Sequence, residues 1–170
     1  MLCLRLYGTS VSLFGIGVSS GSEDERKKIM KRKASAVWRG GLKDGRGNLS
    51  TESGVLREAQ YSFSTRFENG LGTNPEELIA AAHAGCFAMA FSAELGKAGI
   101  APESISATAT VTLDKNDAGW TVTASHLDVV AKIPGADRAQ VLGIANVAKL
   151  GCPISRLLKA NVTMDARLEG

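Results

Sequence analysis

Between residues 61 and 67 the aromatic and polar positions trade places one by one, Tyr61, Phe63, Thr65 and Phe67 alternating with Ser62, Ser64 and Arg66. A period of two predicts a strand, and it sets Arg66 on the face away from the aromatics. Upstream, Ala34 to Gly40 (ASAVWRG) reads as a strand, GLKDGRG as a turn, and Asn48 to Ser53 as a second strand. GTNPEEL then predicts a helix start: Asn74 or Thr73 as N-cap, Pro75 at the first helical position, and Glu76 and Glu77 where the macrodipole favours anions. The helix is expected from Pro75 to about Gly96. It is small and apolar nearly all round (Ala80, Ala81, Ala82, Ala84, Gly85, Ala88, Ala90, Ala93), a composition that buries most sides and admits a neighbour closely.

Further along, residues 105 to 113 (ISATATVTL) alternate as a strand, NDAG turns the chain, and 120 to 133 (WTVTASHLDVVAKI) alternates again. The apolar phase of this last stretch slips by one between Ala124 and Leu127, which predicts a bulge. A second helix fits 137 to 150, GCP stops it, ISRLLKA adds one or two turns, and VTMDARL closes the chain as a strand. Strands and helices without regular βα alternation predict an α+β fold with a mainly antiparallel sheet.

At 170 residues the chain is long enough for one domain with a sizeable core, and its apolar and charged fractions are those of a globular protein. The net charge of +3 is misleading. Residues 1–33 hold seven Lys/Arg against three Asp/Glu, which leaves thirteen against fourteen in the rest. A nearly neutral body gives no basic patch for a nucleic acid. The first stretch, MLCLRLYGTSVSLFGIGVSSGS followed by EDERKKIMKRK, is broken by Gly and Ser and too short in its apolar part to span a bilayer. It reads as a flexible extension over residues 1–30, or as sequence upstream of a start at Met30, with the domain over 31–170. Three cysteines without a CxxC make no secreted disulfide framework, so a reducing, cytoplasmic setting is expected and no membrane partner.

Those cysteines carry the candidate chemistry. Cys86, inside AAHAGCFAMAF, reads first as a small core hydrophobe. A different role needs a second thiol, a source of thiolate and a route for an electrophile. Cys152 in LGCPIS supplies the first: Gly151 can end one helix and Pro153 start the next turn, so Cys152 is an N-cap with helical N–H groups near its sulfur, where a thiol pKa falls and the chain can move. Cys86 sits too deep in its helix to use that helix's own end and needs a cation from elsewhere. His83 at i−3, Arg66, Arg46 and Arg39 are the candidates.

STESGVL, FSTRFENGLGTNPEELIAAAHAGCF, LDKNDAGW and AKLGCPISRLLKANVTMD resemble the OsmC (osmotically inducible protein C) family, sister to the organic hydroperoxide resistance proteins, over roughly 31–170. The His of AAHAGCF favours the OsmC branch. The resemblance implies a cysteine-dependent peroxidase of oxidative and osmotic stress defence, acting on organic hydroperoxides and less certainly on hydrogen peroxide. It implies Cys86 as the peroxidatic thiol, Cys152 as the resolving thiol, and Arg66 and Glu76 as the pair that holds the first thiolate. It further implies an intertwined homodimer of strongly curved antiparallel sheets around central helices, active sites at the interface, no metal, haem or flavin, and an external dithiol reductant such as a lipoylated protein. On one straight helix Glu76 and Cys86 are separated by about 15 Å of rise and about 280° of rotation. Either the helix is kinked, or the Arg and Glu come from the other subunit, which is the expectation preferred here.

Other readings compete. Glu77 reads as a plain first-turn charge, His83 as a core residue or hydrogen-bond donor before a catalyst, His126 as structural beside the bulge, and Cys3 as incidental. Arg66 has a rival in Arg46. A hydrolase on Cys86 and His83 lacks an exposed element end and an oxyanion site. Zinc on His83, Cys86, His126 and Cys152 lacks paired ligand spacing. A non-catalytic, stress-linked small-ligand binding protein would keep the fold but needs no Cys152.

Overall fold

A computed structural model describes residues 29–169. The chain divides at Arg32/Lys33, and the unit from Lys33 onward is the one treated below. The extension expected over 1–30 falls almost wholly outside the described residues, as does Cys3. The unit is α+β, as expected, and is built on two three-stranded sheets.

The first sheet joins β1 (Ala34–Arg39), β2 (Arg46–Thr51) and β3 (Ala59–Ser62), all antiparallel, with Trp38 opposite Gly47 and Gly47 opposite Tyr61. Gly47 is required there, because a side chain would run into the Tyr61 ring. This sheet has almost no cover. Every residue of β1 is exposed, including Val37 and Trp38. Three strands with both faces open are marginal in water.

The segment read as a strand over 61 to 67 is in fact split. β3 ends at Ser62, and α1 (Phe63–Phe67) follows. Ser62 caps it: its hydroxyl accepts from the Thr65 amide (3.2 Å), and the Thr65 hydroxyl accepts from the Ser62 amide (2.9 Å). The two-residue period of the aromatics gave way to this local capping box. Arg66 accordingly does not point away from all the aromatics, since its guanidinium lies 5.3 Å from the Phe67 ring centre.

α2 runs over Pro75–Lys97 without a break, with Asn74 as N-cap. By length and apolar composition it is long enough to cross a membrane. Here one face, His83, Phe87, Phe91 and Leu95, packs into the core against β4 (Ser104–Asn116), α3 (Arg138–Gly151) and α4 (Pro153–Leu157). Its other face, including Ala82, Gly85, Met89 and Ala93, is open.

β4 pairs with β5 (Gly119–Lys132) antiparallel, with the bulge at Thr123, slightly ahead of the expected phase slip. Past it, Ser125, Leu127, Val129 and Ala131 all face inward. Asp137 caps α3 through the Gln140 amide (2.7 Å). β6 (Asn161–Glu169) lies parallel to β5, the one parallel pairing among the described residues, because α3 and α4 carry the chain back across the sheet before it starts. The sheets are thus mainly antiparallel, as expected, with this exception. The core is Phe87, Phe91 and Leu95 from α2, Leu127, Val129, Ala131 and Ile133 from β5 and its end, Val141, Ala145 and Ala148 from α3, and Cys152. Each fully buried large side chain there contributes about 1.5–3 kcal/mol.

Candidate active site

Cys152 ends α3 and caps α4, its amide bonded to the Ala148 carbonyl (2.8 Å) and its carbonyl accepting from the Arg156 amide (3.0 Å). The helix-break role expected from Gly-Cys-Pro is therefore present. Its side chain is fully buried and meets that of Cys86, which is only partly buried. Two thiols separated by 65 intervening residues share one spot, both unbridged.

Their surroundings treat them differently. Burial pushes the Cys86 thiol up; the Ile154 amide opposes this, and Cys152 adds to the rise. For Cys152 burial also acts upward, but the Ser155 amide, Cys86, the Ser155 hydroxyl and the Ile154 amide outweigh it and hold the thiol below its ordinary range. The surroundings thus disfavour a thiolate on Cys86 and favour one on Cys152.

His83 is fully buried one turn before Cys86. Its Nδ1 is 2.8 Å from Ser125 Oγ and its Nε2 2.9 Å from Ser155 Oγ. Burial lowers its pKa, so it is neutral and not the cation that the spacing suggested for Cys86. Both ring nitrogens are bonded to serine hydroxyls rather than to Cys86. His126 stands on the outer face of β5, with Nδ1 2.7 Å from Thr163 Oγ1 and Nε2 3.6 and 3.7 Å from Asp128 and Asp165. Ser125 and Ser155 escaped sequence reasoning. The signal for Ser155 was its place three residues after a capping Cys, where N-cap and N3 groups meet.

Arg66 and Glu76 also come together, as a two-pronged ion pair: Arg66 Nε is 3.2 and 3.1 Å from the two Glu76 oxygens, and its Nη2 is 2.7 Å from Oε1. Asn74 builds this geometry, its Oδ1 accepting from the Glu77 amide (2.8 Å) while its Nδ2 donates to the Thr65 carbonyl (3.1 Å), which ties the start of α2 to α1. Glu77 accepts from the Thr73 hydroxyl (3.0 Å). An aromatic cleft of about 310 Å³, lined by Trp38, Leu42, Tyr61, Phe63, Phe67 and Pro75, opens on one side of Arg66. A more polar one of about 430 Å³ opens on the other. Neither is lined by a cysteine.

Because α2 is unbroken, Glu76 and Cys86 stand ten helical steps apart, about 15 Å along the axis. The four residues expected in one site thus form two pairs, Cys86 with Cys152 and Arg66 with Glu76. A kinked helix is ruled out as the way to join them. Arg46 and Arg39 face each other across β1 and β2.

Comparison with known proteins bears on the family and the fold. The family model for OsmC-like proteins matches residues 68–167, which takes in Glu76 and both cysteines. Peroxiredoxin OsmC of Escherichia coli (strain K12) is 52% identical over 138 residues, 81% of this chain and 96% of its own length. The organic hydroperoxide resistance protein OhrB of Bacillus subtilis (strain 168) is 29% identical over 124 residues, 72% of this chain and 88% of its own. Among solved structures, an organic hydroperoxide resistance protein OsmC from Legionella pneumophila superposes with a TM-score of 0.62 at 25% identity, covering 85% of this chain and 100% of that one. The fold, the paired thiols and these matches lead to one conclusion: the chain belongs to the OsmC-like protein family.

Proposed function

We propose that this protein is a thiol peroxidase that reduces organic hydroperoxides through Cys86 and Cys152. The observation that carries the reading is the meeting of the two thiols, one reachable and one fully buried with a lowered pKa. The Cys86 thiolate attacks the outer peroxide oxygen. The O–O bond breaks, the alkoxide takes a proton and leaves as alcohol, and Cys86 is left as a sulfenic acid. The Cys152 thiolate then attacks that sulfur, hydroxide leaves and is protonated to water, and a disulfide remains. An external dithiol, such as a protein-bound dihydrolipoyl group, reduces it and is itself oxidised. The named relatives, a peroxiredoxin and hydroperoxide resistance proteins, support this chemistry.

Cys86 is the weak point of the single chain, since its pKa is raised and Arg66 lies too far along α2 to correct it. We therefore assign the function to a homodimer in which Arg66 and Glu76 of one subunit approach Cys86 of the other. The open face of α2 and the uncovered first sheet supply apolar surface for such a partner. The aromatic cleft beside Arg66 would then receive the organic part of the substrate. The domain is assigned to 31–170 with 1–30 as an extension, working in a reducing cytoplasm that keeps both thiols ready.

The test is turnover of cumene hydroperoxide and hydrogen peroxide with dihydrolipoamide as reductant, by wild type, Cys86→Ser and Cys152→Ser. The proposal expects turnover in wild type only, with the organic peroxide consumed faster. Undiminished turnover by Cys86→Ser would refute it.

A further inference from the structure

The outer face of β5, opposite the side that carries Ser125 and Leu127, holds a second group of metal-ligating side chains. His126 and Asp128 are two residues apart and so share that face. In the parallel pairing with β6, Asp128 lies opposite Asp165, and His126 lies opposite Thr163. Carboxylates directly opposite each other on neighbouring strands repel. Among the described residues no Lys or Arg forms an ion pair with either of them, and Lys132 of the same face is paired with Glu103 (2.7 Å).

Between the two carboxylates stands the His126 ring, its Nε2 3.6 Å from Asp128 and 3.7 Å from Asp165. Both distances exceed the roughly 2.7–3.2 Å of an N–H···O hydrogen bond. They come close to the spread of ligand atoms around one ion, since donors about 2.0–2.2 Å from a tetrahedral Zn²⁺ are about 3.3–3.6 Å apart. All three ligand atoms lie within 4.8 Å of one another, and the exposed Asp165 side chain can close the widest gap. Thr163, outside this trio, adds a separate constraint: its Oγ1 is 2.7 Å from His126 Nδ1. When Nδ1 carries the ring proton and donates it to that hydroxyl, the Nε2 lone pair faces the two carboxylates, an arrangement that a cation between them makes favourable. Histidines that bind metals are oriented in this way, through the other ring nitrogen.

We propose that His126 Nε2, Asp128 and Asp165 form a Zn²⁺ site, with Thr163 holding the imidazole in its ligating tautomer and water as the fourth ligand. A nitrogen donor beside two carboxylates suits zinc better than calcium or magnesium, which take oxygen ligands. The ion ties β6, an edge strand of its sheet, to β5 and offsets the facing carboxylates. It takes no part in the thiol chemistry, because Cys152 lies in the core on the inner side of that sheet.

The test is titration of reduced, full-length wild type with zinc chloride, read through imidazole ¹H–¹⁵N correlations. The chain has two histidines, and the fully buried His83, one turn from Cys86, serves as internal control. The expected result is a saturable shift of the His126 Nε2 resonance while Nδ1 keeps its proton; Zn²⁺ captured by the cysteines would move His83 and leave His126 in place. Asp128→Asn and Asp165→Asn should each raise the Kd at least about 10-fold, and Thr163→Val about 10-fold, with Thr163→Ser restoring it. All three positions are exposed, so these variants keep the core intact. His126 resonances that stay unmoved in excess Zn²⁺ overturn the proposal, and so does an undiminished affinity in Asp128→Asn/Asp165→Asn.

Discussion

Replacing His83 by Leu alters how stability depends on pH. In the folded protein His83 is buried and its pKa is lowered, so it stays neutral where a histidine in the unfolded chain takes up a proton. The unfolded state then binds more protons below pH about 6.5, and stability falls as pH falls through that value. The slope is at most about 1.4 kcal/mol per pH unit, which gives an upper limit of about 2 kcal/mol between pH 7.5 and pH 5. For a domain of this size that is about 4–8 °C in Tm. At pH 7.5 the variant starts lower, because the fully buried Ser125 hydroxyl loses its partner at a cost of about 1–3 kcal/mol. The gap between wild type and variant should therefore narrow toward pH 5. Urea unfolding at fixed protein concentration measures it, and carboxylate titrations common to both proteins cancel. A gap that stays constant or widens on acidification would refute a neutral, buried His83.

Arg66→Lys removes the two-pronged contact with Glu76 and should slow Cys86 oxidation about 10- to 100-fold in stopped-flow peroxide assays. It should move Tm little, since the Arg66 side chain is partly exposed and such pairs add about 0–1 kcal/mol. Asn74→Ala removes both the α2 cap and the link to the Thr65 carbonyl, and should cost about 1–2 kcal/mol by urea unfolding while also slowing peroxide reaction through the misplaced Arg66. Gly85→Glu puts a charge on the open face of α2, where the glycine now has free space around it, and should shift the protein from dimer to monomer by sedimentation and abolish turnover.

The α2 start was legible because Asn-Pro-Glu-Glu carries cap, first-turn proline and dipole-matched acids in four residues, and Asn74 makes the expected bond. β4 and β5 were legible from alternation alone, down to the need for a bulge. The short α1 was not. Its aromatics fit a strand period over seven residues, and only the Ser62/Thr65 reciprocal bonds decide for a helical turn. The parallel pairing of β6 depends on where α3 and α4 return the chain, which no local pattern encodes. Glycine and proline around Cys152 marked a helix break, yet its lowered pKa also depends on Ser155 and Cys86, brought in by the fold. Arg66 and Glu76 were expected beside Cys86; they pair with each other instead, and the straight α2 keeps them about 15 Å along the axis from that thiol.

The central claim is that Cys86 and Cys152 form a redox pair driven by peroxide. Intact mass with thiol counting, before and after one equivalent of an organic hydroperoxide, tests it on wild type and Cys152→Ser. The account predicts that wild type loses two thiols to a mapped Cys86–Cys152 disulfide, and that Cys152→Ser traps a sulfenic acid on Cys86. Two thiols left unreacted in wild type would contradict it and return Cys86 to the role of a core side chain.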